Sequence, residues 1–171
     1  MKTICIFFFI ALSNNFLLTS DAEKTIATEG IGINSIVTIG ESKNEIKRRF
    51  GKSDKFLITK YKGHSYTDEK AYKTNRKTIE KYGKSKSVYF YSALQLYIGF
   101  DNDDLVNRVY FTSDRYQTKR GLKVGESREK AYSIYGQGDS CQTILRVQNE
   151  GVEIYFNRCN EVEKILIFKA Y

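Results

Sequence analysis

The chain has 171 residues, with 28 Lys or Arg against 20 Asp or Glu, one His and a formal net charge of +8. That length suits one compact domain or two small fused ones. A lone His64 leaves few routes to histidine-based catalysis, and a zinc site on a cysteine pair would need further ligands where only one histidine exists.

Residues 1–22 read as a secretory signal. Lys2 supplies the positive n-region, positions 4–12 and 16–18 the apolar h-region, and Ser20-Asp21-Ala22 a small-x-small cleavage site. Ser13-Asn14-Asn15 interrupts the apolar stretch, which is short for a membrane span. The expectation is therefore a cleaved, secreted or periplasmic protein beginning at Glu23. Residues 23–33 show no periodicity and contain two glycines, the pattern of a flexible lead-in.

Ser42-Lys43-Asn44-Glu45 is a capping box, in which the Ser hydroxyl and the Glu carboxylate each accept a backbone N–H at the helix start. Ile46 and Phe50 then share one helix face, and Gly51 stands where a helix stop is expected. Segment 55–86 carries ten Lys or Arg against three acids, interleaved with Phe56, Tyr61, Tyr66, Tyr72 and Tyr82. It reads as a basic excursion with an extra strand over 56–61. Lys73, Arg76 and Lys77 are its candidates for steering an acidic partner. Strands are expected over 88–91, 94–100 and 106–112, where Leu96, Ile98 and Phe100 alternate toward a core. A second short helix follows, capped by Ser127, with Ala131 and Tyr135 on one face and Gly136 at its end. A second meander spans 143–147, 152–156 and 162–169, with Val152, Ile154 and Phe156 alternating.

These elements repeat. Gly40, Glu41, Ser42, Gly51 and Asp54 recur identically 85 residues later as Gly125, Glu126, Ser127, Gly136 and Asp139. Downstream the offset drops to 56, laying residues 96–100 on 152–156, so the first copy carries an insertion of 29 residues. The pattern predicts an α+β fold of two tandem helix-plus-antiparallel-meander repeats, residues 34–118 and 119–171, with short capped helices packed on one face of a curved antiparallel sheet.

The other sheet face is the candidate binding surface. Positions alternating with the core include Gln95, Tyr97, Glu153 and Tyr155, and by parity Phe90, Arg108, Tyr110, Arg146 and Lys164. Tyr and Arg are the residue types enriched in protein-binding hot spots. Phe90, Tyr97, Arg108, Tyr110 and Tyr155 are the partner-binding candidates.

Cys141 and Cys159 each lie nine residues from Glu150, at the turn of an expected hairpin. In an exported chain such a pair is expected to form a disulfide, worth roughly 3 kcal/mol on the chain-entropy model. Whether both side chains point to one face depends on strand register.

Catalytic signals are weak. Neither Gly-Glu-Ser is a nucleophile elbow, since each serine is already explained as a cap. Asp101-Asn102-Asp103-Asp104 lacks the Gly and distal Glu of an EF-hand loop and reads as a hairpin turn. No metal site and no cofactor are implied. An enzyme would need a pocket around His64.

With both openings in hand, Ile39-Gly40-Glu41-Ser42…Phe50-Gly51 and Val124-Gly125-Glu126-Ser127…Tyr135-Gly136 resemble those of a bacterial superfamily. It includes the β-lactamase-inhibitor-protein-like proteins and the small outer-membrane assembly lipoproteins of the BamE type. The resemblance implies a helix-plus-sheet unit and, in duplicated inhibitors, an aromatic concave sheet that grips an enzyme. The chain departs from the lipoproteins in having no cysteine just after Ala22. The functional expectation is an exported, non-enzymatic inhibitor or immunity protein binding an acidic enzyme or toxin, not nucleic acid. The alternative is an envelope scaffold contacting an anionic polymer or a membrane surface through its Lys-rich segment, without integral insertion.

Overall fold

The computed structural model describes residues 25–59, 65–66, 86–141 and 143–170. The expected signal segment lies outside them, as do His64, Lys73, Arg76 and Lys77. Among the described residues the fold is mixed α+β, with two short helices and two sheets.

A small sheet holds β1 (Thr25–Thr28), β2 (Gly32–Ile33), β3 (Val37–Thr38) and β9 (Tyr116–Thr118), in the order β3-β2-β1-β9. The first half of the large sheet comes from β4 (Lys55–Thr59), β5 (Ser65–Tyr66), β6 (Lys86–Tyr91), β7 (Leu96–Phe100) and β8 (Val106–Phe111). The second half comes from β10 (Asp139–Cys141), β11 (Ile144–Val147), β12 (Val152–Phe156) and β13 (Val162–Phe168). All nine join in the order β10-β11-β12-β13-β8-β7-β6-β4-β5. Every pairing in the large sheet is antiparallel, and β8 and β13 meet at its centre.

Helices α1 (Lys43–Phe50) and α2 (Arg128–Tyr135) form for the local reasons read above. Ser42 and Glu45 make the full capping box, and the Ser127 hydroxyl accepts from the Lys130 N–H at 3.3 Å. Gly51 and Gly136 end the helices at φ 74° and 73°, a region closed to most side chains, and their N–H groups donate to Lys47 and Tyr132.

The same bonds fasten each helix start to the sheet. Gly40 donates to the Val106 carbonyl at 2.7 Å, and the Val106 N–H donates back to Glu41 at 2.8 Å. Gly125, Val162 and Glu126 make the corresponding pair at 2.8 and 2.7 Å. The Glu of each Gly-Glu-Ser also has work: its carboxylate accepts the N–H of Thr38 or of Lys123. Both β-turns beyond match as well. Asp101 Oδ1 accepts from the N–H of Asp103 and Leu105, and Asn157 Oδ1 from that of Cys159 and Glu161. Residues 101–104 thus make the expected polar turn.

One face of the large sheet carries the core. Tyr89, Leu96, Ile98, Val109, Phe111, Ile154 and Ile165 bury there with Ile46 of α1, Ala131 of α2 and Ala27, Ile33 and Val37 of the small sheet. Each aliphatic side chain fully buried there contributes about 1.5–3 kcal/mol.

Two expectations are corrected. Residues 25–33 are not a flexible lead-in: they form β1 and β2, with Ala27 and Ile33 fully buried. The strand β1 is held by a parallel partner, Thr25 opposite Tyr116, far along the chain, and no local pattern records that pairing. The expected Cys141–Cys159 disulfide is also absent, and Cys159 is a free, exposed thiol. The turn at Gln148–Glu150 does join a hairpin, but that hairpin is β11–β12. Cys141 lies on β10, one strand further out, and Cys159 in the turn after β12. Cys141 pairs with Ile144 and Ile144 with Tyr155, whereas Cys159 lies beyond the end of β12, so the two cysteines do not face each other across a hairpin.

Candidate functional site

The outer face of the large sheet is turned away from both helices. Along it one register row crosses eight strands: Lys55, Phe90, Tyr97, Tyr110, Leu166, Glu153, Arg146 and Asp139. Arg108 lies two residues from Tyr110, and Tyr155 two from Glu153, so both share the face. The five sheet candidates Phe90, Tyr97, Arg108, Tyr110 and Tyr155 are therefore neighbours, all half-buried. Their counterparts on the inner face, such as Tyr89, Ile98 and Val109, have no exposure at all.

The row divides into an aromatic half and a charged half. Phe90 and Tyr97 stack at 4.4 Å between centroids, and Tyr97 meets Tyr110 edge-on at 6.4 Å. Such pairs hold rings rigid, so little side-chain freedom is lost when they meet a partner. Lys55 caps the Phe90 end at 5.8 Å from the ring centroid. Lys164 lies 4.0 Å over Tyr155 and 5.4 Å from the Tyr110 centroid. In the charged half Glu153 accepts Arg146 Nε at 2.6 Å and the Tyr155 hydroxyl at 2.7 Å. Burial, then the bond to Glu153 and its negative charge, push the Tyr155 hydroxyl well above the usual phenol range.

Beside the row is a cavity of about 500 Å³, lined among others by Arg108, Arg146, Glu153, Leu166 and Phe168. Leu166 and Phe168 went unremarked in the sequence, because the period of two over 162–168 is blurred by apolar residues on both faces. Gln95, expected on this face, instead occupies a left-handed turn position at φ 51° before β7. Among the described residues no group of three or more His, Cys, Asp or Glu is placed to hold a metal ion. No described helix is long and apolar enough to cross a membrane.

No protein-family description matches the chain, and neither does any curated protein. Two solved structures are similar at low level. One is an extracellular protein containing an SCP domain from Bacillus anthracis, with 12% identity, a TM-score of 0.46 and 77% of this chain covered. This chain spans 44% of that protein's length. The other is the uncharacterized protein yfeY from Escherichia coli, with 11% identity, a TM-score of 0.46, and 85% of this chain and 99% of that one covered.

Proposed function

We propose that this chain is an exported, non-enzymatic binding module that seats its outer sheet face on an acidic surface of another protein, blocking it as an inhibitor or immunity protein does. The observation that carries the reading is the register row from Lys55 to Arg146, where stacked, half-buried aromatic rings adjoin fixed charges on one rigid surface. Aromatic and Arg side chains on such a surface supply contact area at low entropic cost. Lys55, Arg108, Arg146 and Lys164 outnumber Glu153 and Asp139 across it, so an acidic partner is the complementary one. Export rests on the composition of residues 1–22.

The same proposal includes a duplicated architecture. The helix attachments match at an offset of 85, and the turns at 56. Where β8 pairs with β13, Tyr110 faces Leu166, its own counterpart at the offset of 56. A two-fold relation between the halves would pass through that pair. Duplication makes the scaffold; the outer face, where the halves differ, makes the specificity.

The test is a complex captured from envelope and culture extracts and then reconstituted with purified partner. Tyr97→Ala is expected to weaken it by on the order of 2 kcal/mol, measured calorimetrically, with most affinity surviving high salt. Unchanged affinity in Tyr97→Ala, Tyr155→Ala and the double variant removes this face from the interface. Collapse of binding with ionic strength alone would favour the anionic-polymer reading.

A further inference from the structure

We infer that the cavity beside Arg108 is a carboxylate-binding site, and that it takes an acidic side chain of the docked protein. The inference rests on the docking face proposed above, but its geometry stands apart from the aromatic row. Arg108 lies flat across β7: a Cβ built on its cross-strand neighbour Gly99 would meet Arg108 Nε at 2.5 Å and Cγ at 2.6 Å. A glycine inside a strand is the residue that lets a side chain lie down this way.

The guanidinium so placed has donors in hand. Arg108 Nε and Nη2 are shut off from solvent and meet no acceptor among the described residues; Asn107 Oδ1 close by has no donor either. These two nitrogens form one edge of the guanidinium, with parallel N–H groups spaced to match the two oxygens of a carboxylate. Buried donors are almost always satisfied in a working protein; both nitrogens are closed to solvent as they stand, so a carboxylate entering the cavity takes this pair when the Arg108 side chain turns off Gly99 toward it.

The other half of the sheet shows what a closed arrangement looks like. At the offset of 56, Gly99 and Arg108 correspond to Tyr155 and Lys164, also cross-strand neighbours. There the ring covers the cation at 4.0 Å, and the hydroxyl is engaged by Glu153. Glycine in place of tyrosine leaves Arg108 without an aromatic cap.

The lining defines the ligand. Arg108, Arg146 and Lys169 stand against Asp101 and Glu153, one net positive charge. Glu153 is engaged by Arg146 and Tyr155, and Asp101 Oδ1 by two backbone N–H groups. That balance suits a single negative charge rather than a dianion. Leu166 and Phe168 add apolar wall for a methylene stem, which selects a glutamate or aspartate side chain.

The test titrates the purified protein with N-acetyl-glutamate N-methylamide, its glutamine counterpart and inorganic phosphate, following arginine Nε–H signals by NMR. The blocked glutamate should shift the Arg108 signal saturably, and Arg108→Lys, which keeps charge but loses the two-donor edge, should weaken its binding about tenfold. Arg108→Gln should abolish it while the native circular-dichroism spectrum is retained, since Arg108 Nε and Nη2 meet no acceptor among the described residues. Equal binding of the glutamine compound, tighter binding of phosphate, or unchanged affinity in both Arg108 variants overturns the site. A site that survives while Tyr97→Ala leaves the protein complex intact would sink the docking face and not the carboxylate pocket.

Discussion

Lys43 offers the sharpest check on how the first helix is held. It is the first residue of α1, only 8% exposed, at a helix end where a cation is disfavoured by roughly 0.3–1 kcal/mol. Four contacts offset that, one of them a long hydrogen bond of 3.5 Å to the buried Ser87 hydroxyl. The ammonium lies 3.1 Å from Asp104, 5.2 Å from the Tyr89 centroid and 5.4 Å from that of Phe100. Asp104 is 43% exposed, so the ion pair is worth about 0.5–1 kcal/mol. The two partly desolvated ring contacts together add about 1–2 kcal/mol. Lys43→Met keeps the stem and loses these attractions, for a net destabilisation of about 1–2 kcal/mol after the helix-end term is subtracted. Lys43→Ala also strips buried methylenes at about 0.8 kcal/mol each, bringing the loss to about 3–4 kcal/mol. Urea denaturation followed by circular dichroism measures both. A Lys43→Met protein as stable as wild type, or more so, would refute the reasoning: the ammonium would then cost as much in lost hydration as its partners return.

Two further outcomes follow from the same structure. Asp54 Oδ2 accepts the Ser92 N–H at 2.6 Å and its hydroxyl at 2.7 Å, and these bonds hold the carboxyl below the usual range. The associated stability is fully present above the unfolded aspartate value of about 3.9 and is lost as pH falls through the lowered folded value; Asp54→Asn should flatten that part of the acid branch of urea midpoint against pH, and an unchanged slope counts against the bond. Cys159, free and exposed, should react with Ellman's reagent in the folded protein without reductant, and mass mapping should place the label there. Recovery of a Cys141–Cys159 peptide would mean that the strand arrangement around β10 is wrong.

The helices and turns were legible because their signals are local. Ser42 with Glu45, Ser127, Gly51 and Gly136 act within one or two helical turns of where they stand. The sheet candidates were legible for a similar reason: alternation along β7 and β12 separates Tyr97 and Tyr155 from Ile98 and Ile154 without knowledge of any partner strand. Residues 25–33 were misread because their order comes from β9, and an eight-residue window cannot contain that partner. The cysteines were misplaced because counting outward from Glu150 assumes two long strands, whereas the chain turns back after Cys141 into a separate short one.

By itself, then, the amino-acid order determined where helices start and stop, which residues alternate inward, and which motifs recur at 85 and 56 residues. These are properties of neighbours along the chain, set by backbone hydrogen bonding and the period of side-chain direction. Only the tertiary structure decided that β8 and β13 join the two meanders into one sheet, that Phe90, Tyr97 and Tyr110 stand in a single row, and that Arg108 rests on Gly99 beside a cavity. Register between strands is fixed by burial of one whole face against the helices and the small sheet, a cooperative choice that no single segment carries.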